Sequence, residues 1–204
     1  MDLALDSSTP RLSMTGGDGS AQATVVAPED RRGNKHLVRG LNEICRNLGC
    51  GPADFMHIFL TVGPGSFTGA RIGIAFVLGL ACRRSVRIHP VNTLLAIALG
   101  WEGGGPALSI LPAGKNIWYA AVYSKGKRIS EISVPAVVCA AGLQKLARKA
   151  KPVALAADPA LPFEPFVIPK PLSLVLFENR KLCPKAEKVP RPIYLKSLYD
   201  DPAR

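Results

Sequence analysis

Residues 55–82 read FMHIFLTVGPGSFTGARIGIAFVLGLAC, and the class of fold turns on how this stretch is read. Phe55 to Val62 is a short apolar run suited to a buried strand. It leads straight into Gly63-Pro64-Gly65-Ser66-Phe67-Thr68-Gly69, and a helix is expected from about Thr68 to Cys82. Glycines permit positive φ and close backbone approach, and the amides of a helix N-terminus favour anions, so a phosphate-binding loop is physically fair. Ser66 and Thr68 are candidate caps for the helix. The usual phosphate fingerprints do not match, however. No Gly-Lys-Ser/Thr is present, and the third glycine of G-x-G-x-x-G would fall on Thr68. A tight strand-to-helix turn is the favoured reading of the local pattern.

The helix says more than the turn. From Ile72 to Cys82 it carries no charge on any face, which argues against a solvated surface position. Gly69, Gly73, Ala75, Gly79 and Ala81 would let another helix approach closely. One face can satisfy its own lobe; the other needs a second cover, inside one large domain or at a subunit interface. An earlier helix places Leu37, Val38, Leu41, Ile44, Cys45 and Leu48 on one face, with Asn34 as its cap and Gly49 at its end, and could join the same contact.

Working outward, Leu3 to Leu5, Leu12 to Thr15 and Gln22 to Val26 read as an antiparallel meander broken by Asp6-Ser7-Ser8-Thr9-Pro10 and Gly16-Gly17-Asp18-Gly19-Ser20. His89 to Val91 suggests a further strand and Thr93 to Leu99 a third helix. The order then starts again. Ala107 to Leu111, Ile117 to Tyr123 and Ile129 to Val138 read as strands, with Lys125-Gly126-Lys127 as a tight turn. Ala141 to Ala150 reads as a helix, Val153 to Ala157 as an apolar run and Leu172 to Leu182 as a last helix. Two βββαβα units imply an α/β fold with a mixed sheet in each lobe. The Glu102-Gly103-Gly104-Gly105-Pro106 stretch is the natural boundary, giving lobes 1–101 and 102–204.

Composition narrows the class. The 204 residues are 48% hydrophobic and 20% charged, enough for a real core and too apolar for a disordered tail. The acidic start and the short apolar runs point to a soluble, cytoplasmic protein without a membrane span. Five cysteines without a C-x-x-C unit read as reduced and structural, with Cys45 and Cys82 in apolar helical patterns. The net charge of +11 divides unevenly: residues 1–101 hold ten Lys/Arg against seven Asp/Glu, and residues 102–204 hold sixteen against eight. The basic half could attract RNA, although no aromatic-basic interleaving accompanies it.

Leu3-Ala4-Leu5-Asp6-Ser7-Ser8-Thr9, Lys35-His36-Leu37 and above all Val62 through Ala75 resemble the TsaB (YeaZ-like) family of tRNA threonylcarbamoyladenosine biosynthesis proteins. Pro192-Ile193-Tyr194-Leu195-Lys196 is similar to that family's closing motif. The likeness is dense over residues 1–100 and sparse beyond. It implies the actin-like ATPase (ASKHA) fold of sugar kinases, heat-shock ATPases and actin. It also implies the role of a non-catalytic partner for TsaD, the subunit that transfers threonylcarbamoyl to N6 of adenosine 37 in tRNA. The resemblance places the partner contact at His36, Leu37, Gly69, Arg71, Ile72, Gly73, Phe76, Gly79 and Leu80. Asp6, Ser7, Ser8, Thr9, Gly63, Gly65 and Ser66 are left as a vestigial phosphate loop. A TsaE-like ATPase is a further expected partner, tRNA is contacted indirectly, and a homodimer is expected when the chain is alone. No cofactor is expected on this chain by itself, with ATP and Mg confined to the complex. The sequence departs from the family where an Asp-Ala-Arg stretch and a following Glu would stand: here Pro112, Ala113, Gly114 and Ile117 occupy those positions.

Little other chemistry is visible. His36, His57 and His89 are scattered without the spacing of a metal site on one helix, and Ser66 has no identifiable base. Two competing functions remain for comparison. An autonomous nucleotide-dependent enzyme needs acids facing an inter-lobe cleft, for which only Asp6 offers itself; a peptidase needs a metal or an activated nucleophile.

Overall fold

Strands β1 (Asp2–Asp6), β2 (Ser13–Gly17) and β3 (Gln22–Val26) form the expected antiparallel meander in the computed structural model, which describes residues 1–28, 34–125, 129–131, 133 and 135–195. β4 (His57–Thr61) adds parallel to β1, and β5 (Arg87–Val91) adds parallel to β4, so the first sheet runs β3-β2-β1-β4-β5. Parallel neighbours require crossovers, and α2 (Phe67–Ala81) supplies the one between β4 and β5. α1 (Asn34–Leu48) lies beside it, its apolar stripe Leu37, Leu41, Ile44 and Cys45 turned to the sheet. The side chain of Asn34, expected as a cap, lies outside the described residues, as do Gly126, Lys127 and Lys196.

The second sheet repeats the plan. β6 (Ala107–Gly114) and β7 (Ile117–Lys125) pair antiparallel, and β8 (Ile129–Glu131) and β9 (Ala136–Cys139) both pair with β7. β10 (Lys151–Ala154) adds parallel to β6 and β11 (Phe166–Val167) parallel to β10. The order β11-β10-β6-β7-β8 thus matches the first sheet with β6 in the place of β1. This is the duplicated α/β architecture of the actin-like fold. Some details differ from expectation: the last helix, expected to reach Leu182, ends at Glu178, with a separate 3-10 turn over Arg180–Leu182. The single strand expected over Ile129 to Val138 is two strands on β7, and β11 was not foreseen because two residues carry no period. Where the first lobe has α2, the second has no helix: residues 155–165 carry Pro159, Pro162 and Pro165, each lacking the amide a helix interior needs.

The sheets face each other across α3 (Thr93–Leu99) and α5 (Leu172–Glu178). All seven residues of α3 are buried, the consequence of a helix that is apolar all round and covered on both sides. Ala4 and Phe59 from the first sheet, and Ala107, Leu111, Ala121, Tyr123 and Val153 from the second, belong to the same buried cluster as α3. α5 comes from the second half of the chain yet packs on β1 and β2. The Ser173 amide donates to Ser13 Oγ at 3.2 Å, Thr15 and Ser173 hydroxyls meet at 2.9 Å, and Arg180 pairs with Asp2 at 2.7 Å. The chain then runs over the first lobe as a strap. Glu187 N donates to Ile88 O and Ile193 N to Val62 O, both at 2.7 Å. Outside the second sheet, α4 (Ala140–Ala147) covers Leu108, Ile110, Trp118, Ala120 and Val122 through Leu143, Leu146 and Ala147.

Truncating Ile97, fully buried between both sheets, leaves a void that neither sheet can close. Ile97→Ala is expected to cost about 2–5 kcal/mol, read as a lowered urea midpoint with an unchanged slope; a loss below about 1 kcal/mol would contradict a shared inter-sheet core.

Candidate functional site

β1 and β4 are parallel neighbours with Leu5 opposite Leu60, so they deliver Asp6 and Thr61 to one place. Thr61 Oγ1 donates to Asp6 Oδ1 at 2.6 Å. The Ser8 amide and hydroxyl donate to the same oxygen, each at 3.1 Å, and Thr9 Oγ1 donates to Oδ2. Asp6 is wholly buried, and loss of solvation pushes its carboxyl pKa up against the opposing pull of these donors. Ser8 Oγ also meets Thr93 Oγ1 at 2.8 Å, which ties the start of α3 to the same knot.

The glycine turn closes over this knot rather than opening a cleft. Ser66 N donates to the Ser8 carbonyl at 2.7 Å. A Cβ at Gly65, at φ +145°, would collide with Ser8 O; one at Gly69 would strike Ser7 O, and one at Gly73 would strike Ser7 Oγ. At Gly63, φ +101°, it would meet Ile193 O of the strap. The glycines are therefore sites of close approach between backbones of the same chain. Ser66 caps α2, its Oγ accepting from Gly69 N at 3.0 Å, while Thr68 lies within the helix. Asp6, Ser7, Ser8, Thr9, Gly63, Gly65 and Ser66 do come together, but acceptor carbonyls face the glycines, and the Ser66 and Gly69 amides are already engaged. The Asp6 oxygens are likewise occupied by four donors, and no cluster of three metal-ligating side chains occurs among the described residues.

α2 presents a different surface outward. Ala70, Gly73, Ile74 and Val77 are buried toward its own lobe. Arg71, Ala75 and Gly79 are exposed, with Ile72, Phe76 and Leu80 half-buried beside them. Among the described residues nothing lies within 4 Å of a Cβ position at Gly79. The nine residues expected at a partner contact thus divide. Leu37 and Gly73 are buried in their own lobe, and a Cβ at Gly69 would strike Ser7. His36, Arg71, Ile72, Phe76, Gly79 and Leu80 remain on or near the outer face, and Val38 of α1 is 56% exposed. The chain by itself leaves this uncharged face in solvent. Arg71, the sole charged residue of α2, is held at its N-terminal end. Its Nε donates to Tyr194 OH at 2.9 Å and its guanidinium lies 3.9 Å over the Phe67 ring, which stacks on Tyr194 at 4.8 Å.

Sequence reasoning missed one pairing outright. His57 and His89, read as scattered, sit with Nδ1 and Nε2 3.0 Å apart because β4 and β5 are adjacent. His89 Nδ1 lies 2.9 Å from the Pro184 carbonyl, an acceptor only, so Nδ1 carries the hydrogen and Nε2 accepts from His57. Burial lowers the His89 pKa. Strand order is the signal that would have found this pair, and 32 residues of separation hide it. Arg84 was also missed; it gathers the carbonyls of Pro52, Ala53, Phe55 and Leu80 and fixes the end of α2. All five cysteines are free; Cys45 is buried as expected, but Cys82 ends α2 exposed. The β6–β7 turn, where Pro112, Ala113 and Gly114 lead to Ile117, offers Lys115 and Asn116 and no carboxylate.

A family model described as "TsaD: tRNA N6-adenosine threonylcarbamoyltransferase" matches residues 25–176. The TsaB protein of Haemophilus influenzae is 31% identical over 47% of this chain and 41% of its own length. TsaB of Escherichia coli is 30% identical over 60% of this chain and 54% of its own, and TsaB of Bacillus subtilis is 30% identical over 58% and 54%. The chain therefore spans about half the length of the curated relatives it matches. A Pseudomonas aeruginosa protein described as similar to the peptidase YeaZ superposes with a TM-score of 0.71 at 22% identity, covering 96% of this chain and all of that one. YeaZ from the same organism gives 0.70 at 22% identity, covering 96% of this chain and all of that one. These structures share the fold. No helix among the described residues is long and apolar enough to cross a membrane.

Two experiments check the site. Gly73→Ala is expected to destabilise the fold by about 1–3 kcal/mol through its clash with Ser7, whereas Gly79→Ala, facing open space, should stabilise by up to about 1 kcal/mol through helix propensity. Thermal melts showing the two variants alike would contradict the assignment of their faces. The raised pKa of Asp6 means that its proton contributes stability below the unfolded value of 3.8, a contribution lost as pH rises through the folded value. Urea midpoints at pH 4 and pH 8 should therefore show Asp6→Asn gaining on the wild type at the higher pH; an equal difference at both would exclude the shift.

Proposed function

We propose that this chain, which belongs to the family of TsaD, the tRNA N6-adenosine threonylcarbamoyltransferase, acts as the non-catalytic partner subunit of a TsaD-like enzyme that makes threonylcarbamoyladenosine in tRNA. The reading rests above all on the outer face of α2. From Ile72 to Cys82 it bears no charge, its small residues Ala75 and Gly79 are exposed, and Ile72, Phe76 and Leu80 are incompletely covered. A surface helix normally turns charged residues to water. An uncharged, open face on a short lobe instead invites another helix to pack closely at Gly79.

The chemistry of the partner would then be supported indirectly. Docking α2, with His36 and Val38 of α1 at the margin, holds the catalytic subunit in its active arrangement. The likeness to TsaB of three bacteria supports this reading. ATP with Mg, a TsaE-like ATPase and tRNA enter with the assembled complex. The filled glycine turn argues against an autonomous nucleotide-dependent enzyme. A peptidase function gains no support from Ser66, whose Oγ caps α2.

Size and mass analysis of the chain, alone and mixed with the TsaD-like subunit of its own organism, tests the proposal. A stable heterodimer is expected, with tRNA modification only in the mixture. Gly79→Arg should weaken association at least tenfold while leaving the melting temperature within a few degrees of wild type. Wild-type affinity in that variant would remove α2 from the contact, and modification activity or tight ATP binding by the isolated chain would overturn the subunit role.

A further inference from the structure

The two outer layers of the molecule differ in charge. α1 and α2 cover the outside of the first sheet, and α4 covers the outside of the second, so they face opposite directions across the inter-sheet core. α4 buries Leu143 and turns Gln144 and Lys145 to solvent; Arg148 and Lys149, in the turn that follows it, and Lys151, which opens β10, are exposed as well. Lys145, Arg148 and Lys149 are three and four positions apart, so they share one helical face and its continuation.

None of these four cations is consumed by the fold. The ion pairs among the described residues join Lys170 to Glu102 and Glu178, and Arg180 to Asp2. Residues 158–164 pack Leu161 and Phe163 against the same apolar cluster as α4; of their two acids, Asp158 accepts from Trp118 Nε1 at 2.8 Å and from Ala160 N at 2.9 Å, and Glu164 is exposed. A cation or two at the end of α4 would complement its dipole. Four in seven residues exceed that need and build a local positive potential.

We propose that this α4 face binds the sugar–phosphate backbone of RNA, and so gives the partner subunit a direct hold on the tRNA; the inference rests on the subunit reading above for the choice of RNA. Its recognition would be of phosphate alone. No exposed aromatic side chain lies on α4 to stack a base, and the exposed large apolar residues among those described, Val38, Met56, Val167, Val189 and Tyr194, are all on other elements. The same lack of apolar residues removes the wedge with which a basic amphipathic helix enters a lipid surface. Because α4 lies opposite α2, RNA and the catalytic subunit can be bound together.

Anisotropy titrations of a fluorescent unmodified tRNA transcript with the full chain, over a range of salt, test this. Binding that weakens steeply with salt is expected, and Lys145→Glu/Arg148→Glu/Lys149→Glu should lose at least tenfold in affinity and flatten the logarithmic salt slope by about 2–3. The Gln triple at the same positions, checked for a native melt, should lose affinity to a lesser degree. Lys181→Glu/Lys185→Glu/Lys188→Glu, an equal charge change on the strap and its approach, should stay within about threefold of wild type. Equal losses in both Glu triples would mean that net charge and not the α4 face is responsible, and would overturn the proposal. So would unchanged binding in the α4 triple, or tighter binding to phosphatidylserine vesicles than to tRNA. Association with the catalytic subunit, measured on the same variants, separates the two readings. An intact heterodimer without RNA binding by this chain sinks the RNA face alone, whereas RNA binding through α4 without heterodimer formation sinks the subunit role alone.

Discussion

The buried carboxylate of Asp6 is the point on which the first lobe hangs. Four donors from the β1–β2 turn and the end of β4 converge on it, and Ser8 passes the constraint on to Thr93 at the start of α3. A buried carboxylate is costly unless its lone pairs are satisfied, and here the need for donors dictates Ser8, Thr9 and Thr61 at those positions. With the β1–β2 turn held this way, its carbonyls stand where the glycine turn must pass. A Cβ at Gly65 or Gly69 would strike these carbonyls, and one at Gly73 would strike Ser7 Oγ. The glycines of the GPGSFTG stretch thus lie in close contact with their own chain.

The same constraint sorts the two sides of α2. Because Gly69 and Gly73 are pressed against Ser7, the helix sits very close to the β1–β2 turn, and its opposite side, with Ala75 and Gly79, is left outward. The strap strengthens this arrangement from another direction. Ile193 pairs with Val62 beneath the turn, and Tyr194 holds Arg71 against Phe67. The cation at the head of α2 is therefore held in one orientation, with the uncharged surface behind it.

Much of the architecture was legible along the chain. The meander, the α1 stripe, the strand into GPGSFTG, α3 over Thr93–Leu99 and the restart at Ala107 all follow from apolar period and turn chemistry. The duplication followed from their order, and its actin-like character from the family resemblance. Local pattern failed where it carries little information. β11 is two residues long, and the proline-rich 155–165 segment replaces a helix whose absence only the second sheet reveals. At the site, the residues of the turn were legible as a group. Their purpose was not, because glycine serves phosphate binding and backbone contact equally well, and sequence does not say what lies opposite.

By itself the sequence determined the elements, their duplicated order and the uncharged character of α2, since period, turn residues and charge are local properties. Tertiary structure alone decided which face of α2 is free, that α5 and the strap return to the first sheet, and that His57 meets His89. Those outcomes depend on strand order and on the approach of distant backbones. A face becomes inner or outer only when something packs on it, and here the packing atoms of Ser7, Ser13 and Ile193 lie tens of residues or more from the groups they meet.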